Sequence, residues 1–320
     1  MMQGGGVNSH VPVLLEDAIE QLRVVADGIY VDGTFGRGGH AQEILRRLGK
    51  DGRLFAMDRD PEAVSAGRPW VDGDPRFDIE QRSFDRLREF LEERDVFGRV
   101  SGIIFDLGVS SPQLDDPLRG FSFRLEGPLD MRMNPAEGQS AADWLKVATE
   151  ESIRNVLFQY GEERAAGRIA REICNRREEW PIDTTARLAE LVAGVVGRKT
   201  GGKHPATKTF QAIRIFINRE LEVLERGLEQ AAEALCPGGR LAVISFHSLE
   251  DRIVKRFMRD QSRIDPALSR LPEVPGSALP RLRLPTRAIR TADDEIENNP
   301  RARSATLRVA ERLGRITDLA

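Results

Sequence analysis

Val31-Asp-Gly-Thr-Phe-Gly-Arg-Gly-Gly-His40 leads from an apolar strand through a glycine-rich turn into a helix, and Leu54-Phe-Ala-Met-Asp58 is a second strand that ends in an acid. This order is typical of the first half of a nucleotide-binding α/β sheet. Glycines in the turn let a ligand approach the backbone, and the free N–H groups of the following helix favour an anionic group. A carboxylate at the tip of the second strand can accept hydrogen bonds from both hydroxyls of a ribose. We therefore expect a ligand that carries a ribose and an anionic group.

The spacing of the glycines separates the candidate ligands. The turn reads Gly36-Arg-Gly-Gly39, which departs from the G-x-G-x-x-G fingerprint that cradles a pyrophosphate. S-adenosylmethionine has no pyrophosphate, and it needs a loose glycine loop, an acid for its ribose and a carboxylate beside its sulfonium. The pattern therefore favours S-adenosylmethionine as the cofactor. A nicotinamide dinucleotide, and a turn whose glycines serve only tight packing, are the alternatives.

Composition predicts a soluble, cytoplasmic protein with one domain and a substantial insertion. Hydrophobic residues make up 40% of the 320 residues, enough for a sizeable core. The two cysteines, Cys174 and Cys236, form no C-x-x-C pair, and no histidine pair has metal-ligand spacing, so neither a disulfide framework nor a metal site is predicted. No signal-like segment is present, and no apolar run reaches the roughly 18 residues that a membrane span requires.

Basic residues are concentrated in three segments, although the net charge is only −3. Local basic surfaces suit a phosphate backbone, whereas solvated faces with ordinary ion pairs are the alternative. One segment is the arginine-rich stretch from Arg281 to Arg315. The other two consist of Arg198, Lys199, Lys203, His204 and Lys208, and of Arg252, Lys255, Arg256 and Arg259. We take Lys203, His204 and Arg252 from these segments as candidate substrate contacts.

Strands and helices alternate over about the first hundred residues, which predicts a parallel sheet covered by helices. The candidate strands are Ile29–Asp32, Arg53–Met57, Phe77–Gln81, Gly102–Asp106, Arg240–Ser245 and Ser304–Val309. A crossover between parallel strands needs only about 30 residues, so the far longer segment between the fourth and fifth strands contains a mostly helical insertion. An apolar stripe from Phe210 to Leu235 predicts one continuous helix that ends at Pro237-Gly238-Gly239. We expect a cofactor-binding domain of residues 1–110 and 204–320, and a substrate-recognition insertion of residues 111–203.

Asp106, at the tip of the fourth strand, is the candidate catalytic residue. Amine methyltransferases place at this tip the group that contacts the reacting nitrogen. An exocyclic amine is a poor nucleophile because its lone pair is delocalised into the ring, and acceptors that hold its N–H bonds help to localise that pair. Asp106 serves the amine, the amino group of the cofactor, or both. A carboxylate that only caps the following turn is the alternative.

The chain resembles the small-subunit ribosomal RNA cytosine-N4 methyltransferase family, called RsmH or MraW, over essentially its whole length. Each matching block is only fairly selective, but eleven in the same order are very unlikely by chance. The blocks are His10-Val-Pro-Val-Leu-Leu15, Val31–His40, Asp58-Arg-Asp-Pro61, Asp106-Leu-Gly-Val-Ser-Ser-Pro-Gln-Leu-Asp115, Arg119-Gly-Phe-Ser-Phe123, Gly127-Pro-Leu-Asp-Met-Arg-Met133, Tyr160-Gly-Glu-Glu-Arg164, Lys203-His-Pro-Ala-Thr207, Phe210-Gln-Ala-Ile-Arg214, Ser245-Phe-His-Ser-Leu-Glu-Asp-Arg252 and Asn299-Pro-Arg-Ala-Arg-Ser304.

The resemblance implies a Rossmann-like class I S-adenosylmethionine-dependent methyltransferase. Its substrate would be N4 of a cytidine in the decoding region of small-subunit ribosomal RNA, in an assembled or nearly assembled particle, and a homodimer is possible. Carried over by position, the cofactor residues are Gly38, Gly39, His40, Asp58, Phe84, Asp106 and Gln113. Residue patterns alone would not have selected Phe84 or Gln113.

A surface on which the target base stacks is not evident, because no aromatic residue directly follows Asp106. The candidates are Phe121, Phe123, Phe246 and His247, each of which has a packing role as its alternative. His247 follows the fifth strand and should point toward the crevice, whereas His204 either meets RNA phosphate or caps a turn. A dinucleotide-dependent dehydrogenase and a non-catalytic ribosome-assembly factor are the competing functions.

Overall fold

The computed structural model describes residues 12–197, 204–264, 267–268 and 275–314. The chain divides into two compact units, which we call the sheet unit (Met1–Gly108 and Val223–Ala320) and the helical unit (Val109–Glu222). The sequence predicts residues 204–222 in the cofactor-binding domain, whereas this division places them in the helical unit. No helix within the described ranges is long and apolar enough to cross a membrane.

The sheet unit contains every named strand and helices on both faces of the sheet. Its strands are β1 (Ile29–Asp32), β2 (Arg53–Asp58), β3 (Phe77–Gln81), β4 (Val100–Asp106), β5 (Leu235–Ser245), β6 (Leu282–Arg283), β7 (Ile289–Arg290) and β8 (Thr306–Arg312). Numbered along the whole chain, its helices are α1 (Leu15–Leu22), α2 (Gly39–Arg47), α3 (Pro61–Gly73), α4 (Leu87–Glu92), α12 (Ser248–Gln261) and α13 (Asp293–Asn298). Helix α11 (Glu220–Ala234) begins in the helical unit and continues in the sheet unit.

The strand order is β3-β2-β1-β4-β5-β8-β6, and β7 also pairs with β8. Strands β1 to β5 pair in parallel, whereas β8 runs antiparallel to β5. From β1 the chain adds β2 and β3 on one side and then β4 and β5 on the other, so the direction of strand addition reverses between β1 and β4. In open α/β sheets, ligands bind beyond the carboxyl ends of the strands at such a point. The predicted Rossmann-like α/β fold is confirmed, and its crevice lies at the ends of β1, β2 and β4.

Strand β4 shows why the sequences of the central strands are continuous apolar runs. Ile103 and Phe105 belong to one hydrophobic core and Ile104 belongs to another, and all three are fully buried. Alternate side chains therefore enter cores on opposite faces of the sheet, as expected for a parallel strand covered on both sides. This burial fixes the position of Asp106 at the strand end.

A buried ion pair joins β5 to β8 away from the crevice. Two guanidinium nitrogens of Arg240 lie 2.9 and 3.1 Å from Oε2 of Glu311, and a third donates to the carbonyl of Gln21 at 2.7 Å. Arg283 also pairs with Glu311 from the adjacent strand β6. The pair is nearly inaccessible to water, so removing one partner leaves a charge in a poor environment.

Arg240→Met is expected to lower the free energy of unfolding by about 3 kcal/mol, since breaking a buried pair typically costs that much. The double variant Arg240→Met with Glu311→Leu should recover most of this loss, because no buried carboxylate then remains beside β5. Urea unfolding of both variants measures the effect. A double variant as unstable as the single one would show that lost packing, and not the unpaired charge, is responsible.

The helical unit has its own apolar core. Its helices are α5 (Ser111–Asp115), α6 (Ala141–Val147), α7 (Glu150–Gly161), α8 (Ala166–Arg176), α9 (Thr185–Val196) and α10 (Thr207–Asn218). Hydroxyl side chains of Ser140, Thr149 and Thr184 accept hydrogen bonds from backbone N–H groups at the starts of α6, α7 and α9. The prediction of a mostly helical segment between β4 and β5 agrees with these elements.

The predicted single helix from Phe210 to Leu235 is wrong. Helix α10 ends at Asn218, Arg219 adopts a left-handed conformation with φ of 51°, and α11 starts at Glu220. The cause is Asn218, whose amide donates to the Met131 carbonyl at 2.7 Å and accepts from Met133 N–H at 2.8 Å. Strand β5 also starts at Leu235, before the Pro-Gly-Gly sequence that was expected to end the helix.

Candidate active site

The glycine-rich turn after β1 is fixed to both neighbouring strands. Gly33 N–H donates to the Ile104 carbonyl at 3.0 Å, and Phe35 N–H donates to the Met57 carbonyl at 3.1 Å. On the β4 side, the Thr34 hydroxyl accepts from Asp106 N–H at 2.6 Å. The turn therefore spans the ends of β2 and β4.

The three glycines of the turn have different roles. Gly36 adopts φ of 55°, and a Cβ there would meet only the Thr34 carbonyl oxygen at 3.9 Å, so its surroundings are open. A Cβ on Gly38 would lie 2.5 Å from the Trp70 ring, and one on Gly39 would lie 2.0 Å from Pro12. Gly38 and Gly39 are thus required by packing, and Gly36 is the position where the backbone is open to a ligand. The packing role that the sequence left as an alternative applies to two of the three.

Asp58 ends β2 with both carboxylate oxygens engaged by backbone. Oδ2 accepts from Gly36 N–H at 2.8 Å, and Oδ1 accepts from Asp60 N–H at 2.9 Å. Burial nevertheless raises the pKa of Asp58 to about 6, although these hydrogen bonds lower it. The carboxylate therefore holds the turn, and each oxygen keeps a lone pair for a further donor.

His40 and Asp106 face each other across the start of α2. Nδ1 of His40 lies 3.8 Å from Oδ2 of Asp106. Burial lowers the pKa of His40 to about 4, so the ring is neutral at pH 7 and the contact is not an ion pair at that pH. Among the residues that the structure describes, neither Nε2 of His40 nor Oδ1 of Asp106 has a hydrogen-bond partner, although both atoms are buried. Buried polar atoms of this kind indicate a place for a polar ligand.

Electrostatics at the crevice favour a cationic ligand. Burial raises the pKa of Asp106 well above its ordinary value, and the negative charges of Asp32 and Glu250 raise it further. Burial likewise raises the pKa of Asp32, at the end of β1, to about 7, and the charge of Asp58 adds to this effect. Asp32, Asp58 and Asp106 at neighbouring strand ends thus have raised pKa values. A positive charge placed among them would lower these pKa values and favour the ionised carboxylates.

The free protein should lose stability as Asp32 ionises. Its pKa in the folded state, about 7, exceeds the ordinary value of 3.8, so the folded state binds the proton more tightly. Stability therefore falls as the pH rises from about 4 to about 7, by at most about 1.4 kcal/mol per pH unit. Asp32→Asn cannot ionise and can still accept from Thr34 N–H, so its free energy of unfolding should exceed that of the parent at pH 8. Denaturant unfolding at pH 5 and pH 8 tests this, and identical pH dependence in both proteins would contradict it.

Phe84 lies beyond β3 and is only partly buried. Its ring stacks on Phe105 with centroids 4.6 Å apart. A Cβ on Gly227 of α11 would lie 2.4 Å from the Phe84 ring, so the glycine allows this close approach. The ring is held in place beside the end of β4, and its role against an adenine stays a prediction.

Three predicted residues belong to the helical unit or lie outside the described ranges. Gln113 is buried in α5, and its side chain accepts from Ser110 N–H at 2.9 Å in a capping arrangement. His204 accepts from Ala206 N–H through Nδ1 at 3.2 Å, and its ring stacks on Phe123 at 4.4 Å. His204 therefore caps the turn before α10, one of its two predicted roles. Lys203 lies outside the described residues.

His247 and Arg252 lie at the start of α12. His247 is the N-cap, where Nδ1 accepts from Glu250 N–H at 3.4 Å and Nε2 lies 3.1 Å from Oε1 of Glu250. Oε2 of Glu250 accepts from Phe246 N–H and His247 N–H, at 2.9 and 3.2 Å. Arg252 is exposed one turn further along. The substrate contacts predicted for His247 and Arg252 remain predictions.

Sequence reasoning missed Asp32, Thr34 and Glu250. Asp32 is an acid at the tip of β1, and the logic that selected Asp58 and Asp106 would have found it. Thr34 gives no sequence signal, because its role depends on the close approach of the turn to β4. Glu250 reads as an ordinary first-turn residue of a helix, yet it is 2% exposed and its charge acts on Asp106.

Comparison with known proteins agrees with the resemblance in the sequence. The profile of the MraW methylase family matches residues 7–313. The chain is 57% identical over 314 residues to the ribosomal RNA small subunit methyltransferase H of Thioalkalivibrio sulfidiphilus (strain HL-EbGR7), over 98% of this chain and 100% of that protein. It is 55% identical over 307 residues to the protein of the same name from Thiobacillus denitrificans (strain ATCC 25259 / T1), over 95% of this chain and 97% of that protein. The chain belongs to the MraW methylase family.

Proposed function

We propose that this protein methylates the exocyclic N4 of a specific cytidine in the decoding region of small-subunit ribosomal RNA, with S-adenosylmethionine as the methyl donor. The two relatives with 57% and 55% identity are named as small-subunit ribosomal RNA methyltransferases, and each matches almost end to end. Membership of a methylase family argues against the dehydrogenase alternative.

The acid cluster at the ends of β1, β2 and β4 is the observation that carries this proposal. S-adenosylmethionine has two positive groups, an ammonium and a sulfonium, together with a carboxylate and a ribose. Asp58 would accept from the ribose hydroxyls, while the open backbone at Gly36 and the start of α2 would meet the carboxylate. The buried atoms of His40 and Asp106 that have no partner among the described residues supply further polar contacts. The residues present therefore fit this cofactor, and Phe84 and Gln113 complete the proposed set.

When bound, S-adenosylmethionine supplies an electrophilic methyl group on its sulfonium. Asp58 and the start of α2 would hold the cofactor, and N4 would lose one proton on accepting the methyl group. The positive charge of the bound cofactor would favour the ionised form of Asp106, which is the form that can accept a proton. We assign Asp106 to orient the N–H bonds and accept this proton.

The substrate particle and the oligomeric state are further parts of the proposal. We propose an assembled or nearly assembled small subunit as the substrate, with Lys203, His204, His247 and Arg252 as RNA contacts. We also propose a homodimer, since Val147 and Phe158 in the helical unit are large apolar side chains that are 70% and 66% exposed. Sedimentation of the free protein would measure its mass, and a monomer at micromolar concentration would contradict the dimer.

Transfer of labelled methyl groups tests the function directly. Small subunits that lack the modification are incubated with the protein and labelled S-adenosylmethionine, and the RNA is digested to nucleosides. We expect label in N4-methylcytidine at a single position. Absence of label from the RNA would exclude the activity, and label on a ring carbon would exclude the amine as acceptor. Naked RNA in a parallel reaction tests whether the particle is required.

A further inference from the structure

Helix α12 presents a basic face to solvent. Arg252, Lys255, Arg256 and Arg259 are all exposed. Their spacing places them within a sector of about 100° on the helix, at 3.6 residues per turn. The opposite side buries Val254 and Met258 in the core that also contains Val243 of β5. The orientation of this face is therefore fixed by packing in the sheet unit.

The positive charge at the middle of this face is not neutralised within the described part of the chain. Asp251 is engaged by Arg308 of β8, with nitrogen–oxygen distances of 2.7 and 3.1 Å. Asp260 pairs with Arg259, and Glu250 is buried. Among the residues that the structure describes, no acid lies within ion-pair distance of Lys255 or Arg256.

Strand β7 adds Arg290 on the same side of the sheet. Ile289 pairs with Leu307 and packs with it in the core on the other face, so Arg290, the next residue, leaves the opposite face. Arg290 stands opposite Thr306, two residues before Arg308, whose guanidinium contacts α12 through Asp251. This exposed arginine therefore leaves the sheet on the face that α12 covers. We call Lys255, Arg256 and Arg290 the basic ridge.

The basic ridge starts at the catalytic end of the sheet. Thr306 pairs with Ser245, the last residue of β5, which lies at the same carboxyl edge as the acid cluster. Helix α12 begins three residues after Ser245 and carries the ridge away from that edge. The whole basic face of α12, from Arg252 to Arg259, rises roughly 10 Å at 1.5 Å per residue, enough for more than one phosphate of an extended strand.

We infer that the basic ridge binds the phosphate backbone of RNA next to the target nucleotide. The inference rests on the proposed function, because it takes the polymer that the active site modifies as the ligand. Lysine and arginine contacts to phosphate position a nucleic acid without reading its sequence. The ridge thus sets affinity and register, while the choice of base belongs to the crevice.

The double variant Lys255→Gln with Arg256→Gln tests the ridge, and adding Arg290→Gln extends the test. Each lost phosphate contact should reduce the slope of log affinity against log salt concentration by about 0.7 to 0.9. We therefore expect KM for the RNA substrate to rise about tenfold or more near physiological salt, with kcat nearly unchanged. The dissociation constant for S-adenosylmethionine and the melting temperature should match the parent.

The matched control is Lys50→Gln with Arg68→Gln, which removes the same charge from exposed positions after α2 and on α3. This variant should keep the parent KM and salt slope. An unchanged KM and salt slope in the ridge variant, with a parent enzyme that methylates the RNA, would overturn the ridge alone. No methylation by the parent would instead overturn the proposed function. A ridge effect on intact particles but none on naked RNA fragments would overturn the RNA contact in favour of an acidic protein surface.

Discussion

Asp106→Asn is expected to lower kcat for methyl transfer by about 100-fold or more. Asparagine keeps the shape of the side chain but cannot accept a proton, and general acid–base contributions are typically of this size. The dissociation constant for S-adenosylmethionine should change by less than about tenfold, since Asp58 and the turn still hold the cofactor. Single-turnover rates at saturating cofactor, together with calorimetry, measure the two effects separately.

Asp95→Asn is the matched control for this substitution. Asp95 has a positive φ of 54°, a conformation that asparagine tolerates well. It lies before the amino-terminal end of β4, whereas Asp106 is at the carboxyl end of the same strand. The control should keep both constants. A strong loss of cofactor affinity in Asp106→Asn with kcat within a factor of a few would show that Asp106 serves only the cofactor. The proton acceptor would then have to be another residue.

Much of the sheet could be predicted because parallel strands buried on both faces have a plain pattern. The first four strands were placed within two residues at each end, since apolar runs followed by turn residues leave little choice. The break between α10 and α11 could not be predicted, because the apolar stripe continues through it. It depends on Asn218 meeting the backbone at residues 131 and 133, a contact far along the chain.

Some features of the candidate site could likewise be predicted from the sequence, and others could not. Asp58 and Asp106 were identified because the ends of parallel strands meet at one edge of a sheet, which is a rule of topology. Burial raises the pKa of both carboxyl groups, and the charges of Asp32 and Glu250, which only the folded structure brings near, raise the pKa of Asp106 further. The packing requirement at Gly38 and Gly39 was equally hidden, since it depends on Trp70 and Pro12.

Asp58→Ala is expected to weaken S-adenosylmethionine binding by about 100-fold. Hydrogen bonds to a charged group each contribute about 1.5 to 3 kcal/mol, and about 1.4 kcal/mol corresponds to a tenfold change in affinity. The substitution also frees Gly36 N–H and Asp60 N–H, so the turn loses its tie to β2. Calorimetry at pH 8 measures the dissociation constant. Asp78→Ala, which removes an acid of β3 paired with Arg94, is the control and should bind the cofactor like the parent.

The pH dependence of binding distinguishes a carboxylate that contacts the cofactor from one that only shapes the turn. The pKa of Asp58 in the free protein is about 6, so protonation competes with hydroxyl donors below that pH. Cofactor affinity of the parent should fall by up to about tenfold for each pH unit below about 6, since one proton must leave on binding. Asp58→Asn should bind weakly at pH 8 and lose that part of the dependence. If this variant follows the same pH curve as the parent, then Asp32 or Asp106 is the acid that titrates, and Asp58 acts through the turn alone.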